Sequence, residues 1–64
     1  MNTAEARALA YYAAKIGKDA DAARLYQAAA DAYPVTIGAL AKRDKAFLLE
    51  LAAVHRHAAQ KATP

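Results

Sequence analysis

No cysteine and no serine occur anywhere in the chain. Without cysteine there is no disulfide, no thiolate zinc site and no thiol nucleophile. Without serine the commonest hydroxyl nucleophile is missing too, which leaves threonine, tyrosine, lysine and the carboxylates for covalent chemistry. Histidine occurs twice, as His55 and His57. Two residues apart on a helix, these side chains point about 200° from each other, whereas chelation of one metal from a helix calls for a spacing of four. The simple reading puts His55 at a core edge and His57 in solvent. Gly17 and Gly38 do not form a phosphate loop, and no carboxylate pair stands isolated in an apolar context. An enzyme is not expected, and neither a metal nor a cofactor is expected.

Long apolar runs are also missing. Nothing approaches the roughly 18 uninterrupted apolar residues of a membrane-crossing helix. The opening MNTAEARALA has no positive segment followed by an apolar run and does not read as a secretory signal. A cytoplasmic protein without a membrane partner is expected. Strict alternation of apolar and polar residues is absent, and alanine is a poor strand residue, so no strand is expected.

Alanine is abundant: it supplies 21 of the 64 residues and leaves 16 larger apolar side chains to build a core. That is a thin core for one small domain, residues 1–64, with 61–64 expected to fray. Two sources of stability remain: the high helix propensity of alanine, and association with another chain.

The best-patterned stretch is DAARLYQAAADAYP, residues 21–34. Ala22, Leu25, Tyr26, Ala29 and Tyr33 recur on one face of a 3.6-residue period. Asp19 and Asp21 sit where carboxylates favour a helix N-terminus, and Pro34 ends the pattern. The spacing predicts a helix over about 20–33, with Tyr26 and Tyr33 as wedges between its neighbours. Before it, Asn2 and Glu5 are placed for a capping box and Gly17 for a C-terminal cap, which predicts a helix over about 3–16. Its packing stripe reads Ala6, Leu9, Ala10, Ala13 and Ile16. Gly17-Lys18-Asp19 is short enough to make the two helices an antiparallel hairpin. A third helix is predicted over about 36–60, with a core stripe of Leu40, Phe47, Leu51, Val54 and Ala58 flanked by Ile37, Leu48 and His55. Asp44 is placed to cap a separate segment, so a break near Arg43 is the alternative. The fold class is all-α, a helix hairpin closed by a third, longer helix into a three-helix bundle.

With the helices placed, residues 3–36 resemble a tetratricopeptide unit, a helix hairpin about 34 residues long. Leu9 and Ala10 match its large-small pair, Gly17 its turn, Ala22 and Tyr26 the small residue and aromatic of its second helix, and Ala29 and Pro34 its close. Ala6 and Ala13 depart from it where a bulky aromatic and a tyrosine are usual. The whole chain also resembles the microtubule-interacting-and-trafficking domains, through DAARLYQAAADAY and KAFLLELAAVHRHAAQK. Pro34 is less typical of those domains. Either resemblance implies a peptide-binding helical module, with ligand on the first helix or in the grooves between helices.

Charge is placed unevenly. Residues 1–40 are net neutral, and the whole excess of +3 lies in residues 41–64. Two outer faces are candidate partner sites. Arg7, Tyr11 and Lys15, four apart, form a cation–aromatic–cation row suited to an acidic peptide. Leu49, flanked by Lys42, Lys45 and Arg56, suits a dimer or partner contact. The expected function is protein–protein interaction with a helical or acidic peptide, or self-association. The alternative is a small basic nucleic-acid-binding or regulatory protein using Lys42, Arg43 and Lys45. Against it, no aromatic sits among those bases for stacking. Lys45 also stands where TIGALAKR, taken as the start of a helix-turn-helix, would want glycine.

Overall fold

The computed structural model describes residues 1–34 and 38–62. They form three helices, α1 (Thr3–Lys15), α2 (Asp19–Asp31) and α3 (Ala39–Ala62), and contain no strand. The architecture is an all-α three-helix bundle. No helix among the described residues is long and apolar enough to cross a membrane.

Each end of α1 is closed by its own residues. The Asn2 side chain accepts from the Glu5 backbone N–H at 2.8 Å, and Glu5 Oε1 accepts from the Asn2 N–H at 3.1 Å. This reciprocal cap satisfies two donors that would otherwise be orphaned. At the other end the Lys18 N–H donates to the Ala13 carbonyl and the Gly17 N–H to the Ala14 carbonyl. That paired closure needs a left-handed residue after the cap, and Gly17 supplies it at φ 80°. The chain reverses there, and α2 begins with Asp19 and Asp21 in its first turn.

Helix α2 is the centre of the bundle. It packs along its length against both α1 and α3, which meet each other only marginally. Three contacts fix the directions. Thr3 Oγ1 donates to the Ala29 carbonyl at 2.9 Å, tying the start of α1 to the end of α2. The Tyr33 hydroxyl, just past α2, donates to Asp44 of α3 at 2.9 Å. At the start of α2, Asp19 lies 2.8 Å from His55 Nδ1 of α3. So α1 and α3 run parallel, both antiparallel to α2.

The core is built mainly from alanine. Ala6, Ala10 and Ala13 of α1 meet Ala22, Ala29 and Ala30 of α2, and Tyr26, Leu48 and Ala52 complete the cluster. Small side chains let the helix axes approach closely, and Leu48 is the largest fully buried side chain. This corrects two expectations. Leu9 and Ile16, assigned to the α1 stripe, are each about half exposed. On α3 the predicted stripe is rotated. Leu40, Phe47 and Val54 are exposed, while Leu48 and Ala52 are buried. The inward seam runs Ala41, Lys45, Leu48, Ala52, His55 and Ala59, in steps of four and three residues, buried at Leu48 and Ala52 and half-buried at the others. The reason is steric: an alanine-faced α2 admits the seam that offers Ala41, Ala52 and Ala59, and the seam carrying Phe47 is too bulky to approach it.

Helix α3 is continuous through Arg43, so the alternative of a break there is not observed, and Asp44 accepts from Tyr33 rather than capping a new segment. The predicted start at Thr36 and the flanking Ile37 lie outside the described residues, as do Thr63 and Pro64 of the tail. Lys61 and Ala62 belong to the helix.

Candidate functional site

Because α1 and α3 lie on α2 with little contact between them, a groove is left along the line where they face each other. Arg7, Ala8 and Tyr11 of α1 form one wall, Phe47 and Leu51 of α3 form the other, and Tyr26 of α2 is the floor. Its volume is about 540 Å³. The elements position these residues by simple periodicity. Arg7, Tyr11 and Lys15 repeat every four residues on the flank of α1 next to its Ala6–Ala10–Ala13 core face. Leu40, Phe47, Leu51 and Val54 form the α3 seam one step around from Leu48 and Ala52.

The groove is apolar within and cationic at its edge. Phe47 is 57% exposed and Tyr11 59%. Leu40 and Val54 extend the apolar strip along α3 and are more exposed still. Lys15 Nζ lies 5.3 Å from the centroid of the Tyr11 ring, a cation held over an aromatic face. Arg7 and Lys15 make no ion pair among the described residues. Burial pushes the Tyr26 hydroxyl above its ordinary pKa. The hydrogen bond to Asp44 raises that of Tyr33. Both phenols are therefore neutral donors throughout the physiological range.

The two candidate sets fall on opposite sides of α3. Arg7 and Tyr11 line the α1–α3 groove, with Lys15 beside them. Lys42, Lys45, Leu49 and Arg56 lie on the other flank of α3, and the structure does not bring them to that groove. Lys45 is half-buried, while Lys42 and Arg56 are exposed and Leu49 is 40% exposed. A second hollow, between α2 and α3, does include Arg56. There the polar groups occupy one another. Arg56 donates to Gln27 Oε1 at 3.3 Å, Gln27 donates to Asp31 at 3.0 Å, and Arg24 pairs with Asp21 at 3.0 Å.

His55 occupies the core-edge position its spacing suggested, half-buried and in contact with Tyr26 and Asp19, and His57 is exposed. Phe47, Leu51 and Tyr26 were missed as site residues because large apolar side chains at helical spacing were assigned to the core. The missed signal was that α3 carries two complete seams of three-and-four spacing. One bundle contact buries only one of them.

Comparison of the chain with protein-family models, with curated proteins and with solved structures gives no match.

Proposed function

We propose that the chain is a non-enzymatic, cytoplasmic protein-interaction module, a hairpin of tetratricopeptide character capped by α3, which takes an acidic amphipathic helix of another protein into the α1–α3 groove. The observation that carries this reading is the open apolar groove over Tyr26 with unpaired cations on its rim. A helix is the favoured occupant because the walls are two parallel helices. Along the 13 residues of α1 they run for roughly 20 Å, the length of a helix of three to four turns. An apolar stripe on that helix would cover Tyr26, Phe47 and Leu51. Carboxylates two turns apart would face Arg7 and Lys15.

Charge decides against a second copy in this groove. Two grooves set face to face would bring Arg7 and Lys15 of both chains together, a like-charge contact that opposes association. Charge placement also disfavours nucleic acid. Lys42, Arg43 and Lys45 project in different directions around α3 at about 100° per residue, so they make no continuous basic stripe.

The test is titration with a designed 16-residue peptide carrying leucine at helical a/d spacing and glutamate on both flanks, monitored by calorimetry. Binding should fall at least tenfold for Phe47→Asp, and for Arg7→Glu combined with Lys15→Glu. A lysine-flanked version of the peptide should bind weakly or not at all. If the acidic peptide does not bind, or binds the variants as it binds the natural chain, the reading fails.

A further inference from the structure

The floor of the α1–α3 groove ends in a hydroxyl that no described residue uses. Tyr26 is 5% exposed, and its ring is held against α3 by the stack on His55. Its oxygen makes no hydrogen bond among the described residues. Every side-chain nitrogen or oxygen of those residues that is shut off from solvent has a partner, so the Tyr26 hydroxyl is the part of the residue that is not shut off. It opens into the groove that Tyr26 lines, with Arg7 and Tyr11 on the adjoining wall. Both are near enough to act on it. Burial has the largest effect on its pKa, after which Tyr11 raises it and Arg7 lowers it. Arg7 itself makes no ion pair, and no acidic residue lines the groove, among the described residues.

We infer that the partner helix carries an acidic residue within its apolar stripe, and that this carboxylate accepts from the Tyr26 hydroxyl on the floor and from the Arg7 guanidinium on the wall. The inference rests on the groove being the partner site. A stripe apolar throughout would strip water from the Tyr26 hydroxyl and leave a donor with no acceptor, an arrangement that costs affinity. The hydroxyl cannot turn away. It lies on the axis of its ring, and the ring is packed on His55 and the alanine cluster. An acceptor is therefore required over Tyr26. Of the acceptors a side chain can offer, a carboxylate also pairs with Arg7, and a hydrogen bond to a charged acceptor is roughly twice as strong as one between neutral groups. Arg7 has enough N–H donors to hold this carboxylate and one on the rim. Tyr26 is thus the specificity-determining residue of the groove. It separates a helix with an acid in mid-stripe from helices whose acids lie only on the flanks.

Titration calorimetry with a set of designed peptides tests it. The glutamate-flanked peptide with an all-leucine stripe is compared with peptides in which one leucine of the stripe at a time is replaced by glutamate. Each is titrated into the natural chain and into Tyr26→Phe. That substitution removes only the hydroxyl and keeps the ring and its stack, so the helical spectrum should be unchanged. One mid-stripe glutamate peptide should bind the natural chain at least about tenfold more tightly than it binds Tyr26→Phe. It should lose a similar factor with Arg7→Gln, an exposed position, and that result decides the matter if Tyr26→Phe loses helicity. The all-leucine peptide should bind more weakly than this one, and should bind Tyr26→Phe as well as or better than the natural chain. If every peptide shows the same ratio between the two chains, or if only the all-leucine peptide binds, the inference is overturned and the groove remains the partner site. If no peptide binds the natural chain, both are overturned.

Discussion

The imidazole of His55 lies nearly parallel to the phenol ring of Tyr26, with 5.6 Å between centroids and 13° between planes. Its Nδ1 is 2.8 Å from Asp19, the first residue of α2. One side chain of α3 thus holds two turns of α2 at once, in a core that is otherwise mostly alanine. His55→Ala should lower stability by about 1–2 kcal/mol, the sum expected for losing a ring stack and a part-buried hydrogen bond. His55→Phe, which keeps the stack and drops the bond to Asp19, should fall between the two. Urea unfolding followed by circular dichroism measures both. Equal losses for the two variants would mean that the stack contributes nothing.

Alkaline pH should loosen the bundle through its tyrosines. Burial raises the pKa of Tyr26, and the hydrogen bond to Asp44 raises that of Tyr33. A phenol whose pKa is higher in the folded chain favours the folded state while it is protonated. That contribution is complete below the ordinary value near 10 and is lost as pH rises through the folded-state value. Stability measured by thermal unfolding should therefore show no tyrosine-linked fall between pH 7 and 9 and should drop above about pH 10. Tyr33→Phe should remove part of that drop, and Tyr26→Phe a further part.

Helix number and order, the ends of α1 and the start of α2 were readable because their signals are local, whereas α3 begins at Ala39, after Gly38, and runs on through Ala62, past the expected end near residue 60. Asn2 and Glu5 cap α1, Gly17 closes it, and Asp19 and Asp21 open α2, each through contacts within a few residues. Which face of α3 turns inward was not readable in the same way. Hydropathy ranks Phe47, Leu51 and Val54 above Ala52, yet the choice is made by the partner helix, whose alanines admit a close neighbour and leave no space for a phenylalanine. The Arg7–Tyr11–Lys15 row was recognisable from spacing and charge. Its opposite wall was not, because Phe47 and Leu51 become a site only through the outward turn of that seam.

The rotation of α3 has a sharp mutational signature. Leu48 is fully buried against Tyr26 and the alanine cluster, so Leu48→Ala should cost about 2–4 kcal/mol. That is on the order of the whole stability of a domain this small, and the variant should be partly unfolded at room temperature. Phe47→Ala and Leu40→Ala remove larger or equal side chains from exposed positions and should each cost less than about 1 kcal/mol. Chemical denaturation of the three variants side by side checks this. The reverse order would restore the Phe47 seam to the core and remove the groove wall.

The two glycines should respond oppositely to alanine. A Cβ at either Gly17 or Gly38 meets nothing within 4 Å, so crowding is not the issue at either position. Backbone conformation is. Gly17 sits at φ 80°, where an L side chain is strained, and its N–H and that of Lys18 close the end of α1 on the Ala14 and Ala13 carbonyls. Gly17→Ala should cost about 1–2 kcal/mol and should loosen the α1–α2 turn without touching the groove. Gly38 has no positive φ, and its carbonyl accepts from the Lys42 N–H at the start of α3. Gly38→Ala restricts the unfolded chain at a position the folded chain can accept, and should stabilise by about 0.4–1 kcal/mol. Thermal unfolding of both variants reads out the difference. A destabilised Gly38→Ala would show that alanine at residue 38 strains the lead into α3.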